Sequence, residues 1–348
     1  MTLKKKFKAA VLFKQKSKLK IVELDFPKFL DYGQVLVKII YSGICGSQIG
    51  EIDGVKGRDK FLPHCLGHEG SGKVFAIGPG VKKVKKGDKV VLHWKPSNGI
   101  DAKPARYNMG RKIINSGKIT TFSEYSVVSE NRITKINKIK ISLRDAALLG
   151  CTLTTAIGFL NYDIKLKKGE SILIWGAGSI GLALTKFSKY LSARPISVVD
   201  LSHKKLKEAK KMGADRCFKF KSNRSFIEIY NKNKNSDVVI DTTGNVSIIE
   251  KSYDMISGTG RLGLVGVPHH KKKISINPLA INLGKKLVGC HGGIKKPQVD
   301  IPNYAKLIRD KKIRVSDLIE KVIKIKQLNE YIYKIKNNKT TKKILIKF

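Results

Sequence analysis

The chain is poor in acid, in tryptophan and in clustered cysteine. Across 348 residues it has 27 Asp and Glu against 70 Lys and Arg, a net charge of +43, with two Trp and five Cys. The cysteines, Cys45, Cys65, Cys151, Cys217 and Cys290, are odd in number and widely scattered, with no CxxC pair. That excludes a disulfide framework and leaves metal ligation or buried thiols. No run of roughly 18 apolar residues occurs, so no membrane span is expected. The apolar stretch Ala9 to Phe13 behind the basic N-terminus is too short for a signal peptide and reads as a first strand, which makes the cytoplasm the expected compartment.

The shortage of acid leaves a strongly positive field, of the kind that draws nucleic acid or anionic surfaces. Lysine nevertheless far outnumbers arginine, isoleucine and asparagine are abundant, and the lysines are spread along the chain with few aromatics among them. A dedicated nucleic-acid face favours clustered arginine. A compositional bias explains the charge better, and no specific nucleic-acid partner is expected.

Two patterns divide the chain. Up to about Ser129, short β runs such as QVLVKIIYSG, GSGKVFAIGPG and GDKVVLHW are broken by glycine turns, which predicts a partly open β-barrel. From Gly169 strands alternate with helices: SILIWGAG, a helix from Ser179 to about Ser192, PISVVD, HKKLKEAKKMG, SDVVIDTTG, VSIIEKSYDMI and RLGLVGVP. That alternation predicts a doubly wound parallel sheet, an α/β fold. After Gly292 a helix from Asn303 to Asp310 and two amphipathic pieces precede the strand-like KKILIKF. That strand is expected to return to the first domain. The expected division is 1–151 with 292–348 as one discontinuous domain, and 152–291 as the second.

Gly176-Ala-Gly178-Ser179-Ile180-Gly181 follows a strand and opens a helix. A lone GxGxxG is weak, but this context is the dinucleotide-binding one. Gly176 permits the turn, Gly178 admits the pyrophosphate and Gly181 lets helix and strand pack. The helix start offers free N–H groups to the phosphates. About 20 residues on, Asp200 ends the next strand, where a carboxylate binds the ribose hydroxyls and repels a 2′-phosphate. NAD is the expected cofactor. His203, Lys204 and Lys205 just beyond weaken the exclusion of a 2′-phosphate.

Cys45 in GICGSQ, His68 in LGHEG and Cys151 in LLGCTLTTAIG are possible zinc ligands. One buried thiol is usually core and one histidine usually structural. Two cysteines and a histidine together would leave a fourth position open, the catalytic rather than the structural arrangement.

Taken in order, GICGSQ, GHEGSGKVFAIGPGVKKVKKGDKVV, LLGCTLTTAIG and GAGSIG resemble the zinc-containing medium-chain alcohol dehydrogenase family, over nearly the whole chain. The resemblance implies a GroES-like catalytic domain beside a Rossmann domain, and hydride transfer between NAD and an alcohol or carbonyl. It implies one catalytic zinc on Cys45, His68 and Cys151. Glu69 would be the neighbouring carboxylate assisting ligand exchange, and Ser47 the hydroxyl that takes the substrate proton. Trp94 would line the substrate pocket, and Val267, in RLGLVGVP, would lie beside the nicotinamide. A homo-oligomer, dimer or tetramer, is implied through the edges of the Rossmann sheets.

The departures are as specific. Where the family has an aspartate orienting the zinc-bound histidine, this chain has Gln48. Where its relay often ends in histidine, this chain has Gly50. His93 to Ser123 contains no cysteine, so no structural zinc of the four-cysteine kind is expected. His64 and Cys65 have no role in the family pattern and are read as packing. His269, His270 and His291 are read as solvent or cofactor-side residues. Arg58, Arg106 or Arg111 would contact an anionic substrate such as a nucleotide-linked sugar, though each is more often a solvated surface residue. The competing readings are a zinc-free quinone or enoyl reductase and a basic nucleic-acid-binding protein that retains the fold.

Overall fold

The computed structural model describes residues 6–348 and divides into two compact units, Met1–Thr152 with Lys296–Phe348, and Leu153–Lys295. The first unit is built on the strand Gln34–Gly43. It pairs antiparallel with Glu69–Ile77, with Tyr125–Ser129 and with the C-terminal strand Lys343–Lys347. Its side chains alternate between two cores, as the two-residue period of a strand requires. Val35, Val37 and Ile39 pack with Val74, Val90, Leu92 and Ile133. Leu36 points the other way, among Phe7, Val11, Leu24 and Val127. Each such Val, Leu or Ile contributes about 1.5–3 kcal/mol of transfer free energy.

This seven-stranded sheet and a five-stranded one do not close on each other as a single ladder, which leaves the barrel partly open. The segment from Pro96 to Thr121 carries a hairpin, Arg106–Met109 with Lys112–Asn115, that joins the five-stranded sheet beside His64. The helix expected from Asn303 begins earlier and runs Pro297–Arg309. Pro297 occupies its first turn, where the missing N–H costs nothing. Pro302, which reads as a helix stop, is tolerated within the second turn.

The second unit is a six-stranded parallel sheet. Its strands, in chain order, are Ile172–Trp175, Ile196–Asp200, Arg216–Lys219, Ser236–Asp241, Ile256–Leu264 and Lys286–Gly289. Their spatial order is third, second, first, fourth, fifth, sixth, every pair parallel. This is the Rossmann order, with the topological switch between the first and fourth strands. The core strands read ILIW and DVVID because both faces are covered. The third strand and the helix Asn223–Asn233 after it lack a sequence signal, since RCFK is short, at the sheet edge and half exposed. Among the described residues no single helix is long and apolar enough to cross a membrane.

Candidate metal centre and nucleotide site

Three loops of the first unit bring the metal-ligand candidates together. Cys45 is the N-cap residue of the helix Gly46–Asp53, in extended conformation at φ −118° and ψ 151°. His68 lies in the turn between the short strand His64–Cys65 and Glu69–Ile77, and Cys151 follows the 3₁₀ turn Leu148–Gly150. One ligand atom from each lies within 4.8 Å of the others. Two thiols and an imidazole converging in this way fit a tetrahedral zinc with one free position.

The electrostatics also favour a cation here. The hydrogen bond from Cys151 lowers the Cys45 thiol well below its usual range, with Lys343 and His68 acting in the same sense against burial. That same bond, with burial, raises Cys151. Cys45 is thus the sulfur favoured as thiolate, the form that binds a metal ion.

Lys343, on the C-terminal strand, is the residue that the sequence reading missed. Its Nζ lies 2.5 Å from Glu69 Oε2 and donates to Thr152 Oγ1 at 2.8 Å. Burial pushes this ammonium down, but Glu69, Cys45 and Cys151 overcome it and the net direction is up. The other carboxylate oxygen, Glu69 Oε1, accepts from the Thr152 N–H at 2.9 Å. Glu69 thus fixes the residue next to Cys151, and both its oxygens are engaged. Gly43 makes room for the pair, since a Cβ there would sit 2.5 Å from Glu69 Oε2 and 2.8 Å from Lys343 Cε.

Ser47 Oγ lies 3.4 Å from Cys45 Sγ and 3.5 Å from His68 Nε2, at the rim of the thiol–imidazole cluster. Gln48 is buried behind it. Its amide oxygen accepts from the Cys45 N–H at 3.0 Å, and its amide nitrogen contacts His68 Nδ1. Trp94 follows the strand Lys89–His93, and its carbonyl accepts from Arg132. It does not line the large cavity of this unit, which measures about 1150 Å³. Gln48, Glu51, His64, His68 and Arg106 do line that cavity, whereas Arg58 and Arg111 do not.

In the second unit the glycine loop connects the first strand to the helix Ser179–Tyr190. Gly176 adopts φ +94°, and a Cβ on Gly181 would stand 1.9 Å from the Gly176 carbonyl oxygen, so neither position admits a side chain. Gly178 is the N-cap and caps with no side chain. A Cβ on it would meet nothing within 4 Å. That open approach and the uncapped N–H groups of half-buried Ser179 and Ile180 are what a pyrophosphate needs. Asp200 Oδ2 accepts from Ala177 N at 2.7 Å, and Oδ1 from Ser202 N at 2.8 Å. Each oxygen keeps a lone pair for a ribose hydroxyl. Val267, 57 % exposed, follows the fifth strand, with its backbone packed over Gly244. The rings of His269 and His270 lie 4.5 Å apart, tilted at 33°, on an exposed loop.

Fold and site together define a dehydrogenase with a nucleotide-binding Rossmann unit and a metal-binding β unit. Residues 31–138 match the alcohol dehydrogenase GroES-like domain, and 179–310 match the zinc-binding dehydrogenase domain. The chain is 30 % identical to S-(hydroxymethyl)glutathione dehydrogenase of Escherichia coli, over 83 % of this chain and 86 % of that one. It is 27 % identical to the protein of that name in Synechocystis sp., over 98 % and 99 %. The benzyl alcohol dehydrogenase structure from Acinetobacter calcoaceticus shares the fold at a TM-score of 0.86 and 23 % identity, over 99 % and 100 % of the two chains. The chain belongs to the zinc-type medium-chain alcohol dehydrogenase family. It is a zinc-dependent alcohol oxidoreductase, which sets aside the zinc-free reductase reading.

Proposed function

We propose that Cys45, His68 and Cys151 hold the catalytic zinc and that the chain moves a hydride between an alcohol, primary or secondary, and NAD. The observation that carries this is the approach of the three ligand atoms to within 4.8 Å of one another beside the Ser47 hydroxyl. Bound zinc supplies Lewis acidity toward the substrate oxygen, and NAD supplies the hydride acceptor.

The protein groups do the rest. Ser47 Oγ takes the alcohol proton, and since Gly50 carries no side chain the proton leaves through water rather than a relay histidine. Lys343 offsets the negative charge of two thiolates and Glu69, and Glu69 holds the Cys151–Thr152 peptide in place. Gly176, Gly178, Ser179, Ile180 and Gly181 take the pyrophosphate, Asp200 the adenosine ribose, and Val267 flanks the nicotinamide. Trp94 shapes the substrate pocket. The substrate is a small alcohol, polyol or sugar. The protein works in the cytoplasm, in keeping with five cysteines that form no disulfide among the described residues, as a dimer or tetramer joined through the edges of the six-stranded sheet.

The test is metal analysis joined to an absorbance screen of alcohols, polyols and sugars with NAD. Cys151→Ser should lose one equivalent of zinc and all NADH production while still binding NAD. A variant that keeps both its zinc and its activity would overturn the ligand assignment.

A further inference from the structure

A second group of ligand atoms lies in the first unit, on residues other than Cys45, His68 and Cys151. Glu51, Asp59 and His64 each bring one ligand atom within 4.8 Å of the others. His64 Nε2 is 2.6 Å from Asp59 Oδ2 and 3.9 Å from Glu51 Oε1. The side chains of His64 and Asp59 are each 8 % exposed, that of Glu51 44 %.

The other ring nitrogen fixes what Nε2 is. His64 Nδ1 lies 2.8 Å from the Cys65 carbonyl oxygen, which can only accept, so Nδ1 carries the proton. In neutral imidazole Nε2 is then a lone pair, aimed at two carboxylates. Two acceptors and a lone pair at such distances repel unless a positive species stands among them. In a chain with 70 Lys and Arg, none forms an ion pair with Glu51 or Asp59 among the described residues. Burial pushes the Glu51 carboxyl up, with Asp59 in the same sense, against the pull of His64, His68 and Lys56, the lysine acting from beyond ion-pair distance.

We propose that Glu51, Asp59 and His64 form a second, structural divalent-cation site, suited to zinc or manganese by its one imidazole and two carboxylates. A histidine that ligates through one nitrogen while donating the other N–H to a backbone carbonyl is the usual outer support of a metal ligand. The loop bearing Asp59 is preorganised. Its N–H donates to Gln15 Oε1 at 3.2 Å, Gln15 Nε2 donates to the Gly57 carbonyl at 2.9 Å, and Asp59 Oδ1 accepts from Phe61 N at 2.8 Å. Entry is open, because Glu51 and His64 line the large cavity. The ion ties the helix that starts at Cys45 to the strand that leads into His68. It braces two loops of the cysteine site without using any cysteine.

The test is a zinc count on protein stripped with chelator and dialysed against Zn²⁺. Wild type should hold two equivalents per chain, and Asp59→Asn one. Co²⁺-loaded Asp59→Asn should keep the thiolate charge-transfer absorption of the cysteine site. Glu51→Gln, altered at a half-exposed side chain, should also fall to one and covers the case in which Asp59→Asn does not fold. A single equivalent in wild type, lost in Cys151→Ser and kept in Asp59→Asn, overturns the proposal; the positive species is then a proton on His64. A count that falls in Asp59→Asn but not in Cys151→Ser leaves this site standing and removes the cysteine site instead.

Discussion

The ammonium of Lys343 and the carboxylate of Glu69 form a buried ion pair at 2.5 Å, with side-chain exposures of 2 % and 0 %. Such a pair costs desolvation on both sides, so removing one partner is far worse than removing both. Lys343→Met should therefore destabilise the metal-free protein by about 3–5 kcal/mol. It should also weaken zinc, because the ammonium lowers the Cys45 thiol. Adding Glu69→Gln to Lys343→Met should restore most of the stability. Urea unfolding of the two single variants and the double variant checks this; additive losses would contradict it.

Gln48 offers one amide to two partners. Its oxygen is taken by the Cys45 N–H, which leaves its NH₂ group facing His68 Nδ1. A histidine that binds zinc through Nε2 carries its proton on Nδ1, and an NH₂ group cannot accept it. Aspartate in this place would accept from Nδ1 and add a negative charge near the metal. Gln48→Asp should tighten zinc by about 10-fold or more, the scale of such outer partners. Competition with a chromogenic chelator measures it, and equal or weaker binding would count against this account.

The nucleotide loop was legible in the sequence because GAGSIG, the strand before it and Asp200 are local, and each follows from backbone geometry at fixed spacing. The ligand residues were legible only through their motifs, since three loops meet there by tertiary folding. Lys343 left no signal. In a chain with 70 basic residues, one buried lysine looks like all the others, and its partner Glu69 lies about four fifths of the chain length away. The third strand of the parallel sheet was lost for a different reason. A four-residue edge strand with half-exposed side chains carries neither alternation nor an apolar run.

His93 gives a stability test that needs no ligand. It is buried, and its Nδ1 donates to the Lys95 carbonyl at 2.7 Å while Nε2 lies 2.9 Å from Thr134 Oγ1. Burial holds its pKa down at about 4. An unfolded histidine titrates near 6.5, so on acidification the unfolded state takes up the proton first. The contribution is complete above about pH 6.5 and is lost as pH falls toward 4, about 3 kcal/mol in all. His93→Gln should be less steep over that window, by urea unfolding at pH 7, 5.5 and 4. Equal slopes would mean that His93 takes up its proton alike in the folded and unfolded states.

Asp200 is a strut of the glycine loop, since its Oδ2 accepts from Ala177 N, and its proposed second role is to accept from the ribose. Replacing it with Ala should therefore hurt NAD in two ways, through a lost charged hydrogen bond and a looser loop. A hydrogen bond to a charged group contributes about 1.5–3 kcal/mol, so kcat/KM for NAD should fall roughly 10- to 150-fold. NADP should lose less, because the same change removes a charge that repels its 2′-phosphate, with Lys204 and Lys205 close by in sequence. The ratio of the two kcat/KM values is the quantity to measure. If it stays constant while both fall, Asp200 acts only as the strut. A ratio shifted toward NADP shows that its carboxylate meets the ribose itself.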